Sequence, residues 1–136
     1  MDKPVSFELA ILLKEKEFTV ATFYYYENEK LVEPYLENGS STDTDFIVYL
    51  LDLKVHFNKW SKRVSAPTIA EAIMWLYEKY GIWIQVHHWT NQPVDDELWK
   101  NCFCAYVNGD NMDAAIFKTP TEAYESALKY ALLNLI

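Results

Sequence analysis

The chain has 136 residues, of which 51% are hydrophobic and 16% are aromatic, and its formal net charge is -8. This length predicts a single domain over residues 1–136, with enough apolar surface to fill one core without a disulfide or a metal. The composition argues against an intrinsically disordered chain. The acidic charge argues against non-specific nucleic-acid binding, because phosphates would be repelled over most of the surface.

One short region departs from this acidic average. Residues 41–64 carry four basic side chains against three acidic ones, so they are the only part of the chain that is not net acidic. We interpret the region as a solvated face. An anion-binding patch remains the alternative, and its residues would be Lys54, Lys59, Lys62 and Arg63.

The N-terminal apolar run, residues 9–13, is too short to span a membrane, and no signal-peptide cleavage pattern follows it. Cys102 and Cys104 lie two residues apart, which is not the spacing of a secretory disulfide framework, so we expect free thiols in a reducing compartment. These features predict a cytoplasmic protein that has no contact with a membrane.

The first predicted elements are a helix and a hairpin. Ser6 is a good N-cap for a helix over residues 7–16. Residues 19–26 are rich in β-branched and aromatic side chains, and after a polar break a second such stretch covers residues 31–35. Two such runs around a polar break predict a β-hairpin.

The middle of the chain is harder to assign. Residues 38–44 are rich in small polar residues typical of loops, so any sub-boundary should fall there. Residues 46–60 contain a helical stripe of apolar residues, but residues 51–58 alternate between apolar and polar, as a half-buried strand does. We favour a strand and leave the helix open.

A second helix is clearly marked at both ends. Thr68 and Glu71 have the spacing of a capping box, and Gly81 ends the helix. Trp75 falls on the polar face, where we favour packing of the indole under another segment, such as residues 46–60, and keep contact with a partner as the alternative. The predicted apolar face consists of Ile69, Ile73, Leu76, Tyr77 and Tyr80.

Strands follow this helix. Residues 82–89 and residues 99–107 are predicted strands, and Asn108 with Gly109 is a strong turn signal that pairs the second strand with residues 114–118.

The last helix begins with Thr119 as N-cap, Pro120 at its first position and Glu122 in a capping box. Leu133 falls opposite its apolar face, which suggests a frayed end or a contact with a partner. The predicted fold is therefore α+β, an antiparallel sheet with helices packed on it.

From Thr68 onward the predicted order is helix, three strands, helix, which is the order of double-stranded-RNA-binding domains. Such a domain needs basic residues where it meets phosphates, but residues 65–136 are net acidic. The order is therefore an indication of fold and not of function.

Motifs for nucleotide chemistry are absent, and three glycines are too few for the usual phosphate-binding loop. The most metal-like set is Cys102, Cys104, His87 and His88, but adjacent histidines in a strand point to opposite faces, so at most three ligands could meet. A cysteine nucleophile would need a third group to orient its histidine, and the sequence fixes none. The acidic residues 95–97 are interpreted as a solvated loop. We predict no metal, no cofactor and no catalytic residue.

Several pieces of the chain carry a resemblance to a known group. They are residues 5–10 with 13–16, the three tyrosines 24–26, residues 65–68 leading to 75–76 and 78–79, and residues 121–125 with 127–128. In these pieces the chain resembles small uncharacterised proteins encoded by phages and prophages of gut Bacteroidetes. It departs from them at residues 42–63, a stretch that is longer here. The group has no assigned activity, so the resemblance implies relatives without naming a reaction.

We therefore expect a non-enzymatic phage or prophage accessory protein that acts through an unknown protein partner or through self-association. Trp75 and Leu133 are the predicted contact residues. The alternative is a nucleic-acid-associated accessory protein that uses the dsRNA-binding-like order and the Lys54 to Arg63 patch. A third hypothesis, a small hydrolase or thiol enzyme, requires a pocket that joins a cysteine, a histidine and an acid.

Overall fold

A computed structural model describes residues 3–33, 57–88, 102–112 and 116–136. Apart from Met1, the chain divides into two compact units, residues 2–68 and residues 69–136, and each unit contains an antiparallel sheet and at least one helix. The predicted α+β class is therefore confirmed. The single domain stays a prediction, and the predicted sub-boundary at residues 38–44 lies outside the described residues.

The first unit begins with helix α1, Phe7–Glu15. As predicted, Ser6 caps it, and its Oγ accepts a hydrogen bond from the Leu9 N–H at 3.4 Å. Near the other end, the Lys14 ammonium donates to the carbonyl oxygens of Trp60 and Arg63 at 3.0 and 2.8 Å. This side chain joins α1 to a segment more than 40 positions later in the sequence.

The predicted hairpin forms with shorter strands than expected, β1 (Tyr24–Glu27) and β2 (Lys30–Val32). The two turn residues, Asn28 and Glu29, have φ values of 52° and 63°. Two successive positive φ angles are the geometry of a type I′ turn, whose twist matches that of the strands it joins. The polar break in the sequence therefore marks the turn correctly.

The opposite edge of β1 pairs with a strand that sequence analysis missed, β3 (Arg63–Ala66). The sequence-based prediction assigns no strand to residues 63–66. Pro67 restricts the residue before it to extended backbone, which is the signal that could have revealed this strand.

The strand predicted within residues 46–60 does not extend through its last residues, because Phe57–Lys59 is a short 3₁₀ helix. Side chains explain the difference: Ser65 Oγ accepts from the Phe57 and Asn58 N–H groups at 3.0 and 3.2 Å, and Asn58 Oδ1 accepts from the Ser65 N–H at 2.8 Å. These bonds satisfy the backbone without a neighbouring strand. Residues 46–56 lie outside the described part of the chain.

The second unit begins with helix α2, Ile69–Tyr80, which ends at Gly81 as predicted. Gly81 has φ 69°, a conformation that glycine adopts without strain, and its N–H donates to the Tyr77 oxygen at 2.9 Å. Strands β4 (Ile84–His88), β5 (Phe103–Val107) and β6 (Asp110–Asn111) follow, and the sheet order is β4-β5-β6.

The β5–β6 turn is the predicted one, with φ 52° at Asn108 and 85° at Gly109. The partner strand begins immediately after this turn, at Asp110, and not at residue 114 as expected. Phe117 also belongs to this pairing, since it exchanges two backbone hydrogen bonds of 2.9 Å with Phe103. Residues 113–115 lie outside the described ranges.

Helix α3, Pro120–Asn134, closes the unit and packs on β4, β5 and α2. Thr119 Oγ1 accepts from the Glu122 N–H at 3.2 Å, as predicted. The Glu122 carboxylate accepts from Lys118 N–H at 3.3 Å, one residue earlier than a standard capping box. The order α2-β4-β5-β6-α3 roughly matches the predicted helix, three strands and helix. The buried face of α3 consists of Ala123, Ala127, Leu128, Ala131 and Leu132.

Candidate protein-binding surface

Trp75, one of the two candidate contact residues, is buried, with only 6% of its surface exposed, as the favoured packing interpretation predicts. Its ring meets the Tyr80 ring edge-on with centroids 5.4 Å apart, and Lys79 Nζ lies 5.3 Å from the centroid of each ring. The ammonium is attracted by the electron-rich ring faces. Trp75 therefore does not offer its indole to a partner in this structure. The predicted cover, residues 46–60, falls mostly outside the described residues.

The apolar face predicted for α2 differs from the face that is buried in the structure. At about 100° per residue, Ala72 lies about 60° from Ile69, and Trp75 lies about 60° further in the same direction. If Ala72 is counted as an apolar residue, the centre of the predicted apolar face moves towards Trp75. Sequence analysis missed this signal. The buried residues of α2 are Ile69, Ala72, Ile73, Trp75 and Leu76, whereas Tyr77 and Tyr80 are exposed.

Leu133, the other predicted contact residue, is exposed over 54% of its surface. Tyr130 lies one turn earlier on the same face of α3 and is also exposed, as is Leu135 at the end of the helix. The position of Leu133 opposite the buried face of α3 is thus as predicted. We call Tyr130 and Leu133 the C-terminal apolar patch.

A concave surface adjoins the C-terminal apolar patch. Tyr130 and Leu135 form one wall of a groove of about 280 Å³, and Val107 and Met112 add apolar surface from the β5–β6 hairpin. The polar side chains along it are Asn108, Asp110 and Asn111. An apolar groove with a few polar groups and one carboxylate is suited to an apolar side chain with an uncharged or basic neighbour.

The predicted anion patch is described only in part, because Lys54 lies outside the described residues. Lys59, at the end of the 3₁₀ helix, and Lys62, in the turn before β3, are both exposed. Arg63 is engaged by its own unit: its Nε lies 3.6 Å from a Glu27 carboxylate oxygen, and its guanidinium lies 5.0 Å from the Tyr25 ring centroid and 5.5 Å from that of Trp60. The carboxylate offsets part of the positive charge that an anion would need.

The cysteines and histidines occupy neighbouring strands. His87 pairs directly with Cys104, so their side chains leave the sheet on the same face, while His88 pairs with Phe103 on the other face. Neither cysteine forms a disulfide, and both are buried. Burial raises the pKa of Cys104, because it disfavours the thiolate, and the nearby Cys102 adds to this effect. A raised pKa does not suit a nucleophile at neutral pH.

Metal, acid and membrane features can be assessed only for the described parts of the chain. There, no group of three or more His, Cys, Asp or Glu side chains is arranged to hold a metal ion. None of the helices in those ranges has both the length and the apolar composition that crossing a membrane requires. The acidic residues 95–97 lie outside the described ranges. Comparisons of the chain with protein-family models, with curated proteins and with solved structures found no match.

Proposed function

We propose that this chain is a non-enzymatic accessory protein of phage or prophage origin that acts in the cytoplasm by binding another protein. The observation that supports the proposal best is the exposure of Leu133, the most exposed large hydrophobic residue among those described. It does not stand alone, since Tyr130 lies one turn earlier on the same face of α3 and also lines the groove beside the β5–β6 hairpin.

The energetics of such a surface favour a partner. Complete burial of one leucine side chain is worth about 1.5–3 kcal/mol relative to leaving it in water. Tyrosines at the centre of an interface often contribute strongly, because the ring buries a large area while the hydroxyl remains hydrogen-bonded. A partner that covers the C-terminal apolar patch would therefore gain affinity from a few residues.

The charge of the chain restricts the partner. A net charge of -8 favours a neutral or basic surface, because a second acidic protein would be repelled at long range. We therefore place a basic protein ahead of self-association, which sequence analysis left open.

An affinity capture with matched variants tests the proposal. The wild type, Leu133→Gln and Leu31→Gln are immobilised and exposed to lysate of a gut Bacteroidetes host, and the captured protein is then purified and titrated. Glutamine keeps helix propensity close to that of leucine. Leu31 is an exposed leucine of the first unit and serves as the control.

The expected result is one protein that binds the wild type and the Leu31→Gln variant equally, and binds the Leu133→Gln variant about tenfold more weakly. Equal binding by all three variants would show that the C-terminal apolar patch is not the contact. Failure of the purified protein to bind the wild type would remove the proposal.

A nucleic-acid-associated role is the second candidate, and the α2-β4-β5-β6-α3 order is the observation that favours it. Charge counts against it, because Glu122 lies in the first turn of α3, where a dsRNA-binding domain needs basic residues. A titration of a 20-base-pair RNA duplex at 20 mM salt decides between the two. Micromolar binding that weakens steeply with salt would favour this candidate, and undetectable binding would end it.

A further inference from the structure

The hydrogen bonds of the second sheet determine which backbone groups of β4 face away from it. Asn108 N–H donates to the Trp83 oxygen at 2.8 Å, so Trp83 and Asn108 form a hydrogen-bonded pair in the β4–β5 register. In an antiparallel ladder such pairs alternate with non-bonded ones, so Gln85 and His87 also bond towards β5. Ile84 and Val86 must therefore direct their N–H and C=O groups to the opposite edge.

That edge is open in the described part of the chain. The order β4-β5-β6 leaves β4 without a second neighbour there. Two residues give two N–H donors and two C=O acceptors in one line, which is the array that an added strand would pair with.

A groove of about 440 Å³ runs along the same edge of β4. Consecutive residues of β4 from both faces line it, and none of its described lining residues comes from β5, so it follows the open edge. Its other walls are apolar: Ile73 and Met74 from α2, Tyr124 from α3, and the exposed ring of Trp83. The backbone array and the apolar walls thus belong to one surface of the second unit.

We propose that the open edge of β4 binds an extended segment of another protein as a fourth strand. Alternate side chains of the segment would point into the groove between β4, Met74 and Tyr124, because side chains alternate between the two faces of a strand. Backbone pairing with Ile84 and Val86 would supply affinity, and the groove would select apolar side chains at every second position.

Charge identifies the segment further. Glu71 and Glu78 lie one turn to either side of Met74 on α2, so the helical wall of the groove has an acidic rim. This rim complements lysine or arginine in the segment. It would repel a second copy of this chain, whose own net charge is -8. The occupant is therefore a basic partner with alternating apolar residues, and not a second copy.

This inference rests on the proposed function, because both require a protein partner, but it concerns a different surface from the C-terminal apolar patch. The test uses the full chain and a defined probe. The probe is a labelled ten-residue peptide with valine and threonine alternating between terminal lysines. A second peptide carries N-methyl groups on alternate amides, which removes the donors along one edge of the strand.

Two proline variants provide the matched comparison. Val86→Pro removes an outward N–H while leaving every bond to β5, and proline is tolerated in an edge strand at such a position. Leu31→Pro is the control: Leu31 forms a non-bonded pair with Tyr26 beside the two-residue turn, so its N–H also faces the open side of a sheet in the described chain. Circular dichroism verifies that both variants fold.

We expect the probe to bind the wild type and Leu31→Pro equally and Val86→Pro about tenfold more weakly, with the N-methylated peptide binding to none of them. Bound probe should slow hydrogen exchange of the Ile84 and Val86 amides, a readout that nonspecific apolar contact would not produce. Met74→Gln should weaken binding by about threefold through loss of apolar contact.

Three results would overturn the proposal. They are equal binding of the N-methylated peptide, unchanged exchange at Ile84 and Val86, and dimerisation of the chain that Val86→Pro abolishes, which would assign the edge to a second copy. Leu133→Gln separates the two proposals, because it should leave probe binding unchanged. If the probe fails to bind while capture through Leu133 persists, only the strand-addition proposal is lost.

Discussion

The two units of this chain are stabilised in different ways. In the first, polar side chains bond to distant backbone: Lys14 reaches Trp60 and Arg63, and the Asn58 amide donates to the Phe18 carbonyl at 2.8 Å. In the second, apolar helix faces cover a sheet, and the side chains of Thr119 and Glu122 bond to backbone within four residues. Local bonds can be predicted from sequence neighbours, whereas these three bonds of the first unit join residues 40 to 49 positions apart.

The largest expected effect is loss of apolar packing in the second unit. Leu128→Ala removes a side chain with no exposed surface and should lower the free energy of unfolding by about 2–5 kcal/mol, measured by urea denaturation. Leu133→Ala on the same helix is the control, and we expect a change of less than about 0.5 kcal/mol. Similar losses for both variants would contradict the assignment of the buried face.

A somewhat smaller effect is expected from the polar network of the first unit. Asn58→Ala leaves the Ser65 N–H and the Phe18 carbonyl without their side-chain partner, so the free energy of unfolding should fall by about 2–3 kcal/mol. Lys59→Ala, at the neighbouring exposed position, should change it by less than about 0.5 kcal/mol. If the two variants are equally stable, the network does not hold the 3₁₀ helix against β3.

Helix caps allow a direct comparison between the units. Thr119→Ala should cost about 1 kcal/mol of unfolding free energy, and Thr119→Ser should restore most of it, because the hydroxyl caps the Glu122 N–H. Ser6→Ala should cost less, since its bond to the Leu9 N–H is longer, at 3.4 Å. A larger loss for Ser6→Ala in urea denaturation would reverse this ranking.

The smallest expected effect is a dependence of stability on alkaline pH. The pKa of Cys104 is raised in the folded chain above the usual value of 9.0, so the folded state holds the thiol proton more tightly. The stabilisation is complete below pH 9 and is lost as the pH rises through the folded pKa. The unfolding free energy of the wild type should therefore decline more steeply above pH 9 than that of Cys104→Ala. Parallel curves would show that this thiol titrates normally.

Sequence analysis succeeded where the signal is local. Each of these signals acts within a few residues. Ser6 and Thr119 mark the starts of helices, Gly81 marks the end of a helix, and Asn108 marks a turn. It also located Leu133 correctly, because helical periodicity alone places that residue opposite the buried face.

It failed where a contact joins distant residues. The strand β3 exists because it pairs with β1, and the 3₁₀ helix depends on the side chain of Ser65. The open edge of β4 could not be found from sequence at all. Which amides face outward depends on the pairing of Trp83 with Asn108, and that register is known only from the structure.

Strand β1 lies between β2 and β3, and chain segments of very different length connect it to these two neighbours. One neighbour follows β1 after a two-residue turn, and the other comes after about thirty further residues. Because the entropy of closing a chain segment grows only with the logarithm of its length, doubling that interval would cost about 0.6 kcal/mol. The same dependence makes the β1–β3 pairing late and slow to form. Insertions between β2 and β3 should therefore slow folding more than they lower stability, so this interval can lengthen while the sheet keeps its register.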